Sequence, residues 1–133
     1  MKTAQRVFHV LWVLWAGSLW SLLWVAAIMF HLQSDRHTAG QIAAALFSAE
    51  TYLGLAVALL ALSLPNRGRF RLGYVAVAFL AFNEWVLKPV MEAARTHGSA
   101  LGLGFGPWHG ISALFYLLAC LCVLRIVYKD EYP

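Results

Sequence analysis

Four side chains that can carry charge lie within or at the edge of long apolar runs, and they are the residues with the most chemical potential. Glu50 lies near the middle of one run, Glu84 and His109 lie one turn inside two others, and His31 closes the first. If these runs cross a membrane, each such group costs on the order of 2.5–3.5 kcal/mol to insert, so it needs a partner or a cavity. A carboxyl placed like that of Glu50 is a proton carrier or ion ligand by default.

Other polar residues repeat near these groups at helical spacing. His109, Ser112 and Tyr116 recur at i, i+3 and i+7, which places them on one helix face. On the first run a second stripe is predicted to meet that face inside a bundle; it comprises Gly17, Ser21, Trp24, Ile28 and His31. We therefore predict a polar pocket for a small solute, ion or proton, lined by Glu50, Glu84, His109, His31, Ser112 and Asn83.

The same histidines allow a second interpretation. His31 and His109 are candidate metal ligands, because neutral imidazole binds both copper and haem iron, and a redox protein with haem or copper is the alternative prediction. The chain has no H-x-x-H, H-x-x-x-H or E-x-x-H motif, and Cys120 and Cys122 point about 200° apart on a helix. The cysteines are predicted to be small apolar core residues. No Ser, His and acid ordering indicates a nucleophilic enzyme, so the main prediction is a non-enzymatic protein without a cofactor.

The elements that position these residues are four apolar runs, at 7–30, 40–64, 72–90 and 105–128. Each is near the ~20 residues that a helix needs to cross a ~30 Å hydrocarbon core. Charged residues are 12% of the chain, about half of the ~25% usual in a soluble domain. Since lipid offers no hydrogen-bond partner to the backbone, each run must be helical. The fold class predicted is all-α, a single four-helix transmembrane bundle over residues 1–133.

The basic residues indicate how the chain is oriented. Seven lie at the predicted cytoplasmic ends of the runs and three at the other, so both termini are predicted to be cytoplasmic, in the inner membrane if the source is bacterial. The formal charge of +4 therefore reflects topology and not a nucleic-acid surface. The third connection, from Pro89 to Pro107, is predicted to be the longest, and the pair Glu84 and Lys88 has the i, i+4 spacing of a helical ion pair.

The second run carries polar or small residues on two faces. One face holds Ser48 and Tyr52, while Glu50 and Gly54 lie nearly opposite. Small residues around Glu50 predict close packing of a neighbouring helix. If both faces cannot point inward in one chain, one of them meets another protein, so a homo-oligomer or an accessory role in a larger membrane complex is also predicted, besides contact with the bilayer.

Several segments resemble a known family. They are residues 15–18 (WAGS), 39–42 (AGQI), 52–55 (YLGL), 89–92 (PVME) and 108–112 (WHGIS). In order and spacing they resemble the transmembrane protein 205-like family, which carries domain of unknown function 4149. Ala27 stands about where a proline of that family is expected. The resemblance implies a four-helix membrane protein with no established reaction, and animal members are associated with resistance to platinum drugs. It makes candidate signature positions of His109, Gly110, Ser112, Asn83, Pro89, Gly17, Gly40 and Phe47.

Overall fold

The protein is built from helices, and a computed structural model describes residues 2–65 and 67–130. Within these residues the elements are α1 (Lys2–Leu32), α2 (Arg36–Leu62), a 3₁₀ turn (Arg67–Phe70), α3 (Arg71–Phe82), a π-helical turn (Asn83–Leu87), α4 (Lys88–His97) and α5 (Phe105–Asp130). Four helical stretches are long and apolar enough to cross a membrane, the third running continuously from Arg71 to His97. The predicted all-α, four-span architecture is confirmed.

The four spans form a ring in which each packs against two neighbours. Helix α1 lies between α2 and α5, and the third span also contacts both α2 and α5. Because an even number of spans returns the chain to its starting side, both ends of the described chain lie on one side of the bundle. Which side faces the cytoplasm stays a prediction from the basic residues.

The start of α2 is set by a capping side chain. Asp35 has extended backbone angles, and its Oδ1 accepts from the backbone N–H of His37 at 3.0 Å. Its other oxygen accepts from the hydroxyl of Thr38. These bonds satisfy donors that the first helical turn leaves free, so α2 begins at Arg36, earlier than the predicted residue 40.

The third span was predicted to end at residue 90, at Pro89, and this is wrong. The helix continues to His97 because a π-helical turn immediately precedes the proline. There the N–H of Lys88 donates to the carbonyl of Asn83, five residues back. Pro89 then falls in the first turn of α4, where its missing N–H breaks no bond of that helix. The real connection begins at Gly98, which ends α4 with φ 84°.

A cluster of aromatic side chains fills the end of the bundle that carries the termini. Trp12 and Trp15 of α1 are 1% and 2% exposed, and the Trp12 ring stacks on Phe70 with centroids 5.9 Å apart. The stripe predicted to point inward, which includes Trp24 and His31, is wrong, because Trp24 is 72% exposed and its companions are exposed as well. The bulky indoles of Trp12 and Trp15 gain more by burial than a stripe of small and polar residues, so α1 turns that face inward.

Candidate functional site

The carboxyl group of Glu50 lies at the contact between α1 and α2. Ser18 Oγ donates a hydrogen bond to Glu50 Oε1, and the indole N–H of Trp15 donates to the backbone carbonyl of Glu50 at 3.1 Å. The second carboxyl oxygen, Oε2, is buried and has no hydrogen-bond partner. Glu50 is therefore held on one side only, and one of its two oxygens remains free to bind a ligand.

This geometry depends on a glycine one turn further along α2. A Cβ built on Gly54 would lie 2.8 Å from Trp15 Cε2 and closer still to Cζ2, so only glycine admits the indole. The prediction that a helix packs closely beside the small residues near Glu50 is confirmed. Trp15 and Ser18 lie three residues apart, on one face of α1, and so both reach Glu50.

A buried tyrosine closes the bundle next to this contact. Tyr116 Oη donates to the carbonyl of Leu19 at 2.6 Å, and its ring meets Phe47 edge to face with centroids 4.8 Å apart. Tyr116 thus joins α5 to α1 and α2 in the layer that contains Ser18 and Glu50. Of the predicted polar stripe on the last span, Tyr116 is the member that the structure buries.

A second polar group joins α2 to the third span. Ser48 Oγ donates to the carboxylate of Glu84, at 2.8 Å from Oε1 and 2.9 Å from Oε2. Lys88 Nζ lies 2.9 Å from Glu84 Oε1 and 2.7 Å from Ser48 Oγ. The predicted Glu84–Lys88 ion pair is confirmed, with side chains 13% and 43% exposed respectively.

The distance between Ser48 and Lys88 alone would suit a nucleophile and its base. A lysine acts as a base only without its proton, however, and here the carboxylate of Glu84 pairs with the same Nζ and favours the ammonium form. The group is therefore better described as an ion pair bridged by a hydroxyl. Its chemistry is structural: it ties α2 to the third span.

The π-helical turn aims two consecutive polar residues at different neighbours. Asn83 Nδ2 donates to the Ser112 carbonyl at 3.0 Å, and Ser112 Oγ donates back to Asn83 Oδ1 at 2.6 Å. The next residue, Glu84, meets Ser48 of α2 instead. The turn thus joins the third span to α5 through Asn83 and to α2 through Glu84.

The two polar faces of α2 both find partners within this chain. The Ser48 face meets the third span, and the Glu50 face meets α1. The argument for a second subunit from these two faces therefore falls away. The same arrangement separates the predicted site residues, because Glu50 bonds to α1 on one side of α2 while Glu84 bonds on the other. Of the six predicted pocket residues, only Asn83 and Ser112 bond to each other.

The two candidate metal ligands lie at helix ends. His31 is exposed in the last turn of α1, and His109 is exposed in the first turn of α5 with its ring stacked on Phe105, centroids 5.6 Å apart. Among the residues that the structure describes, no group of three or more His, Cys, Asp or Glu side chains is placed to hold a metal ion. A haem or copper centre stays a prediction. Cys120 is a free, fully buried thiol, as predicted for a core residue.

The residues that sequence reasoning did not assign to the site are Trp15 and Ser18. Both lie in the WAGS segment that carried the family resemblance, which was the available signal. Their pairing with Glu50 could not be known before the rotation of α1 against α2 was known.

Comparison with known proteins bears on the family. No curated protein and no solved structure matches the chain. One family model does match, over residues 10–100, which include α1, α2, the π-helical turn and α4. The transmembrane protein 205-like name stays a prediction, since the matched model is described only as a domain of unknown function. The match covers more than half of this four-span membrane protein, which therefore belongs to the family described as Domain of unknown function (DUF4149).

Proposed function

We propose that this polytopic membrane protein binds and exchanges a proton or a small cation at Glu50, without catalysing a reaction. The observation that carries the proposal is the buried, unpartnered Oε2 of Glu50. A buried polar atom without a partner costs about 1–3 kcal/mol, and more when it is charged. A proton or a cation bound at Oε2 would remove that cost.

The position of Glu50 supports this function. It lies near the middle of α2, which spans Arg36–Leu62, and so it is at membrane depth. Carboxyl groups at that depth are expensive to insert and typically mark ion or proton pathways. The hydroxyl of Ser18, bonded to Oε1, would hold the carboxyl in place while Oε2 exchanges its ligand.

Purified protein in liposomes with an enclosed pH-sensitive dye tests the proposal. A proton gradient should collapse faster with the wild-type protein than with Glu50→Gln, which keeps the shape but cannot ionise. Glu92→Gln is a matched control, because Glu92 is 67% exposed and its weak pairing with Arg95 spans 3.8 Å. The same comparison with sodium or potassium gradients detects a cation in place of a proton.

Infrared difference spectra recorded between two pH values provide a direct reading of binding. A carboxyl band that changes in the wild-type protein and is absent from folded Glu50→Gln supports the site. Equal gradient collapse in wild type and Glu50→Gln, together with identical spectra, would remove the proposed function.

The membrane orientation is part of the same proposal. Lys2, Arg6, Arg71 and Arg125 lie towards the end of the bundle that carries the termini, and we place that end in the cytoplasm. In a bacterium this corresponds to the inner membrane. Reporter enzymes that are active on only one side, fused to either terminus, test the orientation; activity on the outer side would contradict it.

A further inference from the structure

The connection between α4 and α5 contains a tight turn with an unusual residue at its tip. Ala100 and Leu103 exchange two backbone hydrogen bonds, of 2.8 and 3.0 Å. The two residues between them, Leu101 and Gly102, have positive φ angles of 50° and 82°. Two positive φ angles in a two-residue connection are typical of a type I′ turn, which normally carries asparagine, aspartate or glycine at these positions.

Leu101 combines two unfavourable features. A side chain with a Cβ disfavours the left-handed backbone conformation, for steric reasons. The same leucine is 86% exposed, so it contributes little packing within the chain. Strained residues at exposed tips are a reason to look for a function, and here the side chain itself must supply it.

We infer that Leu101 inserts into the lipid interface of the membrane that the bundle spans, so that the Ala100–Leu103 turn is a lipid-contacting anchor. The composition of the connection supports lipid as the occupant. Residues 98–108 contain no Asp, Glu, Lys or Arg, and Leu103 is exposed beside Leu101. By contrast, the connection between α1 and α2, at the same end of the bundle, contains Asp35 and leads into Arg36.

A tryptophan is tied to the same turn. The indole N–H of Trp108 donates to the carbonyl of Ala100 at 2.9 Å. Tryptophan is enriched where the hydrocarbon meets the headgroups, because its ring is apolar and its N–H is polar. Trp108 and Leu101 therefore form one lipid-facing unit, held together by a backbone carbonyl.

The length of the third span places this unit at the correct depth. Its 27 residues extend about 40 Å at 1.5 Å per residue, against a hydrocarbon core of about 30 Å. The turn after α4 therefore lies in the headgroup zone of one leaflet. An apolar tip in that zone reaches hydrocarbon by a short displacement, whereas a charged connection would stay in water.

Spin labelling in phosphatidylcholine nanodiscs tests this inference. A nitroxide on Ser99→Cys, in a Cys120→Ala and Cys122→Ala background, should be more accessible to oxygen than to a water-soluble nickel chelate. The same label on Ser34→Cys, an exposed residue of the polar connection, should show the opposite preference. Introducing Leu101→Asp should shift the Ser99 label towards the Ser34 pattern, while Leu101→Met should not.

Leu101→Asn separates lipid contact from folding, because asparagine tolerates the left-handed conformation. Its helix content should equal that of the wild type, and the Ser99 label should become more accessible to nickel. A Ser99 label that is as accessible to nickel as the Ser34 label, with Leu101 in place, would overturn the inference. Protection that develops only in native membranes, and not in pure lipid, would also overturn it and would indicate a protein partner.

Discussion

The indole ring of Trp15 occupies the space that a side chain at Gly54 would need. A Cβ on Gly54 would fall 2.8 Å from Trp15 Cε2, within the contact distance of any two carbon atoms. Trp12 has the same relationship with Gly73 of α3, where an added Cβ would lie 2.6 Å from Cη2. In a membrane, where water does not drive helices together, such close backbone approach is a main source of association. Two tryptophans of α1 thus fit into glycine notches on two other spans.

Gly54→Ala should destabilise the bundle. The added methyl group must displace the Trp15 ring, and overpacking of this kind typically costs about 1–3 kcal/mol. A gain in helix propensity of about 1 kcal/mol offsets part of that cost. Thermal unfolding in detergent measures the difference. Gly17→Ala is the matched control, since an added Cβ there meets nothing within 4 Å, and its midpoint should not fall. Equal midpoints for the two variants would contradict the notch.

Tyr116→Phe should destabilise the protein by less. The change removes the hydrogen bond to the carbonyl of Leu19 and keeps the ring against Phe47. Hydrogen bonds between membrane helices contribute about 0.6 kcal/mol on average and up to about 1.7. Tyr52→Phe is the comparison, because Tyr52 is 54% exposed and keeps its edge contact with Trp85. Unfolding titrations should show a loss for Tyr116→Phe only; a loss of equal size for Tyr52→Phe would contradict this role.

Hydropathy predicted the spans because lipid imposes one requirement, that each stretch satisfies its own backbone. The ends of the spans were harder to predict, since they depend on local bonds. The cap of Asp35 moved one boundary, and the π-helical turn before Pro89 moved another. Neither bond changes the average hydropathy, so neither was visible in it.

The candidate site was predicted only in part, for a different reason. Glu50 was identified from its depth alone, and the Glu84–Lys88 pair from its spacing within one helix. Contacts between helices depend on how each helix is rotated, which periodicity does not determine when several faces are apolar. For this reason Ser18 was missed as a partner of Glu50, and the outward-facing stripe of α1 was assigned to the interior.

The cap at Asp35 predicts a dependence on pH. Bonds from the Thr38 hydroxyl and the His37 N–H lower the pKa of Asp35 below its ordinary value of 3.8. A carboxyl whose pKa is lower in the folded state stabilises that state above its ordinary pKa, and this contribution is lost as the pH falls through the folded pKa. The unfolding midpoint should therefore drop as the pH is lowered below about 4.

Two variants isolate the contribution of Asp35. Asp35→Ala should be less stable than the wild type at pH 7, and the gap should narrow in acid. Asp35→Asn keeps a capping oxygen that does not titrate, so its midpoint should change less with pH than that of the wild type. Midpoints of wild type and Asp35→Asn that fall in parallel would assign the acid sensitivity to other carboxyl groups.

Asn83 and Ser112 should be energetically coupled. Each side chain donates one hydrogen bond to the other residue, so removing either partner breaks both the Oγ–Oδ1 bond and the bond that depends on it sterically. In a double-mutant cycle of Asn83→Ala and Ser112→Ala, the double variant should lose less stability than the sum of the single variants. The coupling should fall near 0.6 kcal/mol, with about 1.7 as an upper value.

The control for this cycle pairs Ser112→Ala with Ser63→Ala. Ser63 Oγ bonds to the carbonyl of Leu60 at 2.6 Å, at the far end of α2 from the π-helical turn. These two changes should add to within about 0.3–0.5 kcal/mol because the sites share no partner. If the Asn83 and Ser112 changes are equally additive, the bonds do not hold the third span to α5, and the π-helical turn must be stabilised by apolar packing around Leu87 instead.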